Sequence, residues 1–155
     1  MSDIHAYDLD GVIASEVLPS ERGWVGRMLW KIAPGIAARH QLRRAKPLRV
    51  LLSGPAYGLI IVTGRPMEDA PTILAWVRAN KVVPDDGSLP LIIICNPYAY
   101  SEDSSLKHKC YTLRSLGVTN YLESDHEVAK QISENVPGVV VECGGERWLT
   151  RSCAS

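Results

Sequence analysis

Apolar residues recur along the chain in short runs that alternate with segments of helical periodicity. Five runs bounded by turn residues predict strands near residues 4–8, 58–63, 91–95, 118–122 and 138–142. Helical patterns follow three of these runs, at 67–80, 105–116 and 127–132. Strands that alternate with helices favour a mainly parallel sheet covered on both faces, so we predict a three-layer, Rossmann-like α/β protein.

The chain of 155 residues has the usual length of one domain, which we predict to span residues 1–155. Residues from about 15 to 50 form an additional segment that the simple alternation of strands and helices does not require. Within them, apolar positions at helical spacing predict a helix from Trp24 to Ile32 and a second one over 36–45. We interpret this segment as a small helical cap insert that leans over a site on the sheet.

Two carboxylates, Asp8 and Asp10, lie where the first strand runs into Gly11. Residues i and i+2 of an extended chain point to the same side, so both acids face one cavity. One carboxylate can attack phosphorus while the other acts as general acid and then as general base. Such a site needs a hard cation beside the incoming phosphate, which indicates Mg²⁺. A calcium loop fits poorly, because Val12 and Ile13 are apolar where it needs oxygen ligands.

Polar residues also follow the later strands. The second strand ends in Thr63 and Gly64, where a hydroxyl and the N–H groups of a glycine turn can bind a phosphoryl oxygen. The helix over 105–116 carries lysines near its start, and an acidic cluster over 123–125 follows the fourth strand. In open α/β sheets this edge is where ligands bind.

The order Asp-x-Asp-Gly-Val, Thr-Gly-Arg, helix lysine and acidic cluster resembles the haloacid dehalogenase (HAD) superfamily of phosphohydrolases, over roughly Ile4 to Val141. The resemblance implies an HAD-like fold in which Asp8 is the nucleophile, Asp10 the general acid/base and Thr63 a ligand of the phosphoryl oxygens.

For the third motif of that superfamily, Lys109 fits better than Lys107, because Leu113 and Leu116 follow it at the expected spacing. The fourth motif departs from the common pattern, since Ser124 stands where many relatives carry an acid.

Glu123 and Asp125 are therefore competing candidates to hold Mg²⁺ together with Asp8 and Asp10, and we rank Asp125 first. An N-cap of the following helix is the alternative role for Asp125, and the two roles are compatible.

Charge is balanced overall, with 17 basic and 17 acidic residues, but it is unevenly distributed. Residues 22–49 carry eight Lys and Arg and no Asp or Glu. Three interpretations remain open for this basic segment: a solvated helical face, an electrostatic funnel for a phosphate-rich substrate, or a helix that adsorbs to anionic lipid.

The sequence has no apolar run of eighteen residues and no basic N-terminal region followed by an apolar stretch. The cysteines have no metal-ligand spacing and resemble reduced thiols of a cytoplasmic protein: Cys95, Cys110, Cys143 and Cys153. We therefore expect neither a transmembrane segment nor secretion.

We predict a cytoplasmic, Mg²⁺-dependent phosphomonoester hydrolase. Its substrate is expected to be a phosphorylated small molecule, a nucleotide or a nucleic-acid end, bound with the help of Gly11, Gly64 and Arg65. The last of these substrates is suggested by a weaker likeness to the phosphatase part of polynucleotide end-healing enzymes. It rests on the glycine turn with Arg65 and Pro66 and on the following helix, which contains Thr72 and Trp76. The alternative is a catalytically weak phosphate-binding or regulatory module of the same fold, because Ser124 replaces the usual acid.

Overall fold

A computed structural model describes residues 3–16, 21–49, 51, 55, 57–99 and 101–149. Within these residues, six strands form one sheet: β1 His5–Tyr7, β2 Leu59–Pro66, β3 Leu91–Asn96, β4 Asn120–Leu122, β5 Val140–Cys143 and β6 Glu146–Leu149. The sheet order is β3-β2-β1-β4-β5-β6, and all neighbouring pairs are parallel except β5 and β6. The predicted α/β class with a mainly parallel sheet is confirmed.

Five α-helices accompany the sheet within the described residues: α1 Trp24–Ile32, α2 Pro34–Arg44, α3 Ala70–Ala79, α4 Glu102–Leu116 and α5 His126–Asn135. Alternate residues of β2 pack on opposite sides. Leu59 and Ile61 join the core that includes Ile73 of α3. Ile60 and Val62 join the core that includes Leu113 of α4 and Ile132 of α5. Helices thus cover both faces of the sheet, as the alternation of apolar runs predicts.

Three of the differences between the predicted boundaries and the structure have a clear local cause. Strand β2 continues beyond Thr63 to Pro66, with a shifted register against β3, because the residue before a proline favours an extended backbone. A 3₁₀ turn over Met67–Asp69 precedes α3, which therefore begins three residues later than expected. Helix α4 begins earlier, at Glu102, because Ser101 and Ser104 form a capping box.

The sixth strand is absent from the sequence prediction. Cys143 pairs with Glu146 across Gly144 and Gly145, whose φ angles are +57° and +87°. A two-residue turn with positive φ at both positions is the tight turn that joins antiparallel strands, and glycine suits both positions. The Gly-Gly pair was the signal that could have indicated this hairpin.

The segment between β1 and β2 contains the two predicted helices, α1 and α2. Helix α2 packs against α3, and the indole N–H of Trp76 donates to the carbonyl of Ala45 at 3.0 Å. Residues 17–20 and 50 of the predicted insert lie outside the described residues, as does Cys153.

The other three cysteines are free thiols, and burial raises the pKa of Cys95 to about 11. In the described part of the chain, no helix is both long and apolar enough to cross a bilayer.

Candidate active site

The predicted site residues lie at the carboxyl edge of the sheet. Asp8 directly follows β1, Glu123 directly follows β4, and Thr63 lies in the second half of β2. Strand β1 is central, and the chain passes first to β2 on one side and later to β4 on the other. The crevice at such a reversal of strand order is the usual ligand-binding position of open α/β sheets.

Lys109 joins two of these acids in a buried triad. Its Nζ lies 3.1 Å from Oδ2 of Asp8 and 2.7 Å from Oε2 of Glu123. All three residues are at most 6 % exposed. Helix α4 positions the lysine, because Leu113 one turn later is fully buried in the core on the same side of the helix. Lys107, the less favoured lysine, is exposed and pairs with Asp103 instead.

The triad carries two carboxylates and one ammonium group, so it has an excess of negative charge. Burial, helped by the nearby charges of Glu123 and Asp10, raises the pKa of Asp8 well above its usual range, although Lys109 opposes the shift. For Lys109, burial alone would lower the pKa, but the charges of Asp8 and Glu123 outweigh it and raise the pKa. Lys109 therefore stays charged. Because its single positive charge is divided between Asp8 and Glu123, it neutralises an ionised Asp8 only in part.

Asp10 points to Arg65. The guanidinium donates from Nη2 to Oδ1 at 2.7 Å and from Nε to Oδ2 at 2.8 Å, which is a bidentate ion pair. The backbone of this segment is fixed separately, because the Ser124 hydroxyl donates to the carbonyl of Asp10 at 2.8 Å. Gly11 has φ +78°, and a Cβ there would lie 2.6 Å from Cβ of Ser124. Position 11 therefore accepts only glycine, because Ser124 packs directly against it. The same close contact explains why a small residue stands between Glu123 and Asp125.

Glu123 and Asp125 use their carboxylates differently. Oε1 of Glu123 accepts from the N–H groups of Ser124 at 3.0 Å and Asp125 at 3.3 Å, while Oε2 meets Lys109. Oδ1 of Asp125 accepts from the N–H groups of Glu127 and Val128, so Asp125 is the N-cap of α5. The predicted capping role is confirmed. The ranking of Asp125 above Glu123 as a metal ligand stays a prediction.

Thr63 and Gly64 lie beneath the start of α4. Thr63 is buried, and its hydroxyl oxygen accepts from the N–H of Arg65 at 3.2 Å. A Cβ on Gly64 would lie 1.9 Å from Oγ of Ser105 and 2.9 Å from its Cβ. Gly64 is therefore required by the close approach of β2 to α4, in addition to any role in binding an anion.

Sequence reasoning missed the acid that holds Arg65 in place. Asp69 is 1 % exposed, and its carboxylate meets Arg39 of α2 at 2.9 Å and Arg65 at 3.3 Å. It occupies the N-cap position of α3 but makes no capping hydrogen bond there. Arg65 also donates to the carbonyl of Ala38 at 3.1 Å. The opposite charges of Arg65 and Asp69 at i, i+4 were the only sequence signal for this contact.

Tyr121 is a second residue that sequence reasoning missed. It is fully buried in β4, and its hydroxyl donates to the carbonyl of Val62 at 3.1 Å. Burial and the charges of Asp8 and Glu123 raise its pKa well above the usual range, so the hydroxyl keeps its proton. It fixes β2 beside Asp8 and Glu123.

The predicted metal ligands are engaged with other partners. Among the described residues, no three His, Cys, Asp or Glu side chains are arranged as a ready metal site. Negative charge nevertheless accumulates at this edge of the sheet. The pKa of Glu16 is raised, first by partial burial and then by the charge of Asp10, with a smaller effect from Asp125. Carboxylate oxygens are the donors that Mg²⁺ prefers, so the donor chemistry fits the ion although the side chains are not preassembled.

The arrangement combines an acid with a raised pKa, a buried lysine, a hydroxyl and an arginine at one sheet edge. These groups can bind a dianion and supply a carboxylate nucleophile.

Compared with known proteins, the chain matches no protein-family model, no curated protein and no solved structure.

Proposed function

We propose that this protein hydrolyses phosphomonoesters through an aspartyl-phosphate on Asp8, as a member of the HAD superfamily. The observation that carries the proposal is the pairing of buried Asp8 with Lys109 at the point where the strand order reverses. A carboxylate held by a fixed ammonium group is pre-positioned, and the same ammonium can neutralise charge on an incoming phosphoryl group. Glu123 fixes the lysine, because it accepts from Nζ at 2.7 Å.

In the first step, a carboxylate oxygen of Asp8 forms a bond to phosphorus and the bond from phosphorus to the leaving oxygen breaks. Asp10, which must first leave Arg65 and take up a proton from solvent, gives that proton to the leaving oxygen. In the second step, Asp10 takes a proton from water, whose oxygen attacks phosphorus and releases inorganic phosphate and free Asp8. The Thr63 hydroxyl, Arg65 and the N–H groups around Gly11 and Gly64 bind the phosphoryl oxygens.

Mg²⁺ is the proposed cofactor, because Asp8 must be ionised to attack phosphorus. Lys109 is already shared with Glu123, and the raised pKa of Asp8 indicates that further positive charge is needed. Asp8 and Asp10 are the proposed ligands, with Asp125 ranked before Glu123 as the additional one. The ion would supply the charge that keeps Asp8 ionised when phosphate enters.

The proposed substrate is a phosphorylated small molecule, a nucleotide or a nucleic-acid end, acted on in the cytoplasm. Support comes from the basic segment, where Arg39 reaches the site through Asp69 and where Arg43 and Arg44 are exposed. A field of positive charge raises the local concentration of polyanionic substrates.

The test is hydrolysis of an aryl phosphate with and without Mg²⁺ by the wild type and by Asp8→Asn. The matched control is Asp3→Asn, which changes an exposed acid near the start of β1. We expect Mg²⁺-dependent turnover in the wild type and the control and none in Asp8→Asn, because an amide cannot form the acyl-phosphate. Beryllofluoride should bind the wild type only when Mg²⁺ is present. Full activity of Asp8→Asn would refute the proposal.

A second candidate function is phosphate binding without efficient turnover. The observation that favours it is the bidentate hold of Arg65 on Asp10, which occupies both oxygens of the proposed acid. Tight binding of phosphate or vanadate, without turnover of any member of a metabolite and nucleotide panel, would support this module over the enzyme.

A further inference from the structure

Helix α1 presents an apolar face to the outside of the molecule. Trp24 is 69 % exposed, Met28 is 52 % exposed and Ile32 is 74 % exposed, and none of the residues of α1 is buried. These three residues stand at i, i+4 and i+8 and therefore form one stripe along the helix. Val25 and Ile36, at the edge of the stripe and the start of α2, are also more than half exposed. We call these five side chains the α1 face.

Basic residues flank the α1 face on the same outward side. Arg27 and Lys31 follow each other at i, i+4 next to Trp24 on the helical wheel, and both are exposed. The opposite side of α1 packs against α2 and carries the partly buried Leu29 and Trp30. Exposed apolar and exposed basic side chains together are the pattern of a helix that lies in a membrane interface.

Charge decides which partner suits this face. Residues 22–49 contain eight Lys and Arg and no acid, so positive charge predominates around the α1 face although Glu21 directly precedes this segment. Two copies that paired through the face would bring Arg27 and Lys31 close to their own equivalents, with no acid on α1 or α2 to offset them. Nucleic acid would match the charge but would leave Met28 and Ile32 in contact with phosphate. An anionic lipid surface satisfies both features.

We propose that the α1 face docks on anionic lipid. Trp24, Met28 and Ile32 would enter the boundary between headgroups and acyl chains, while Arg27 and Lys31 contact the lipid phosphates. The affinity should be modest and reversible, because the face is one short helix, and it should fall with salt as the charges are screened. This inference is independent of the proposed phosphatase activity.

The experiment measures partition of the full chain onto phosphatidylcholine vesicles with and without phosphatidylglycerol. The apolar variant is Trp24→Ser with Met28→Ser, and the charge variant is Arg27→Gln with Lys31→Gln. The control is Tyr98→Ser with Tyr111→Ser, which removes two aromatic residues that are 65 % and 74 % exposed elsewhere. Circular dichroism verifies that each variant keeps its helix content.

We expect binding to vesicles that contain phosphatidylglycerol, a loss of roughly tenfold or more in each α1 variant, and no loss in the control. Equal binding of wild type and apolar variant would overturn the proposal, as would an absence of vesicle binding. Concentration-dependent dimers that disappear in the apolar variant, without vesicle binding, would assign the face to a second copy. Oligonucleotide binding that depends on Arg27 and Lys31, again without vesicle binding, would assign it to nucleic acid.

Discussion

Arg65 holds both carboxylate oxygens of Asp10, at 2.7 and 2.8 Å. The same guanidinium contacts Asp69, which in turn contacts Arg39 of α2. One chain of ion pairs therefore connects the proposed acid/base to the helical insert. An incoming phosphoryl group offers Arg65 a competing bidentate partner, so substrate binding and release of Asp10 can be one event.

This relationship predicts a binding defect in Arg65→Lys. A lysine keeps the charge but cannot form the bidentate pair, so we expect the KM for a phosphomonoester to rise by roughly tenfold. Steady-state kinetics check the result, with the exposed Arg78→Lys as the matched control. An increase in kcat with unchanged KM would show that Arg65 only restrains Asp10.

A second prediction concerns the stability that Lys109 provides. Lys109→Met leaves the carboxylates of Asp8 and Glu123 buried without their cation, which should reduce the free energy of unfolding by about 3–5 kcal/mol at neutral pH. Chemical denaturation measures the loss. Lys107→Met on the same helix should have no measurable effect, because its ion pair with Asp103 is exposed. Adding Glu123→Gln to Lys109→Met should restore part of the stability, and a full loss in the double variant would contradict the triad.

A third prediction follows from the raised pKa of Asp8, which burial causes and which Lys109, Glu123 and Asp10 modify. The folded state disfavours the ionised form of Asp8, so the wild type loses stability as pH rises above the ordinary pKa of an aspartate, and Asp8→Asn should raise Tm at neutral pH by about 2–4 °C, the effect of ~1 kcal/mol. As pH falls through the raised pKa, the folded state binds the proton first and wild-type stability recovers. The advantage of Asp8→Asn should therefore shrink toward acid pH. Thermal unfolding of both proteins without Mg²⁺ over a range of pH measures this difference in Tm. A difference that stays constant with pH would exclude titration of Asp8 as its cause.

A fourth prediction tests the packing at Gly64. Gly64→Ala places a methyl group against Ser105, so β2 and α4 must move apart, and we expect a loss of about 1–3 kcal/mol. Combining it with Ser105→Gly should recover most of the contact geometry, less the cost of glycine in a helix. Denaturant unfolding of the single and double variants measures the coupling. Strictly additive losses would mean that the two residues do not touch.

A fifth prediction separates substrate attraction from chemistry. Arg43→Gln with Arg44→Gln removes two exposed charges and spares Arg39, whose ion pair with Asp69 is structural. The KM for a nucleotide or oligonucleotide phosphate should rise severalfold at low salt and converge with wild type at high salt, with kcat nearly unchanged. A small aryl phosphate serves as the control substrate and should respond less. Identical KM values at every ionic strength would show that this part of the insert is a solvated surface.

The sequence indicated the elements of the fold well, because burial imposes a period on apolar residues. The five predicted strands occur, and helices α1 and α2 occur between β1 and β2 as expected. The errors lie at ends, where capping residues and prolines decide, as at Ser101 and Pro66. The missed strand β6 follows a turn, and its signal was two glycines instead of an apolar period.

For the candidate site, the sequence by itself determined which residue types follow which strand, and so placed Asp8, Thr63 and Glu123 at one sheet edge. Only the tertiary structure decided their partners. Lys109 forms ion pairs with Asp8 and Glu123, and Asp10 forms one with Arg65. These contacts join side chains that are distant in sequence, so they depend on how the helices pack on the sheet. The role of Asp69 was likewise set by α2, which brings Arg39 to it across the insert. A local period records burial, whereas the ion pairs of Asp8 with Lys109 and of Asp10 with Arg65 join side chains that lie far apart in the sequence.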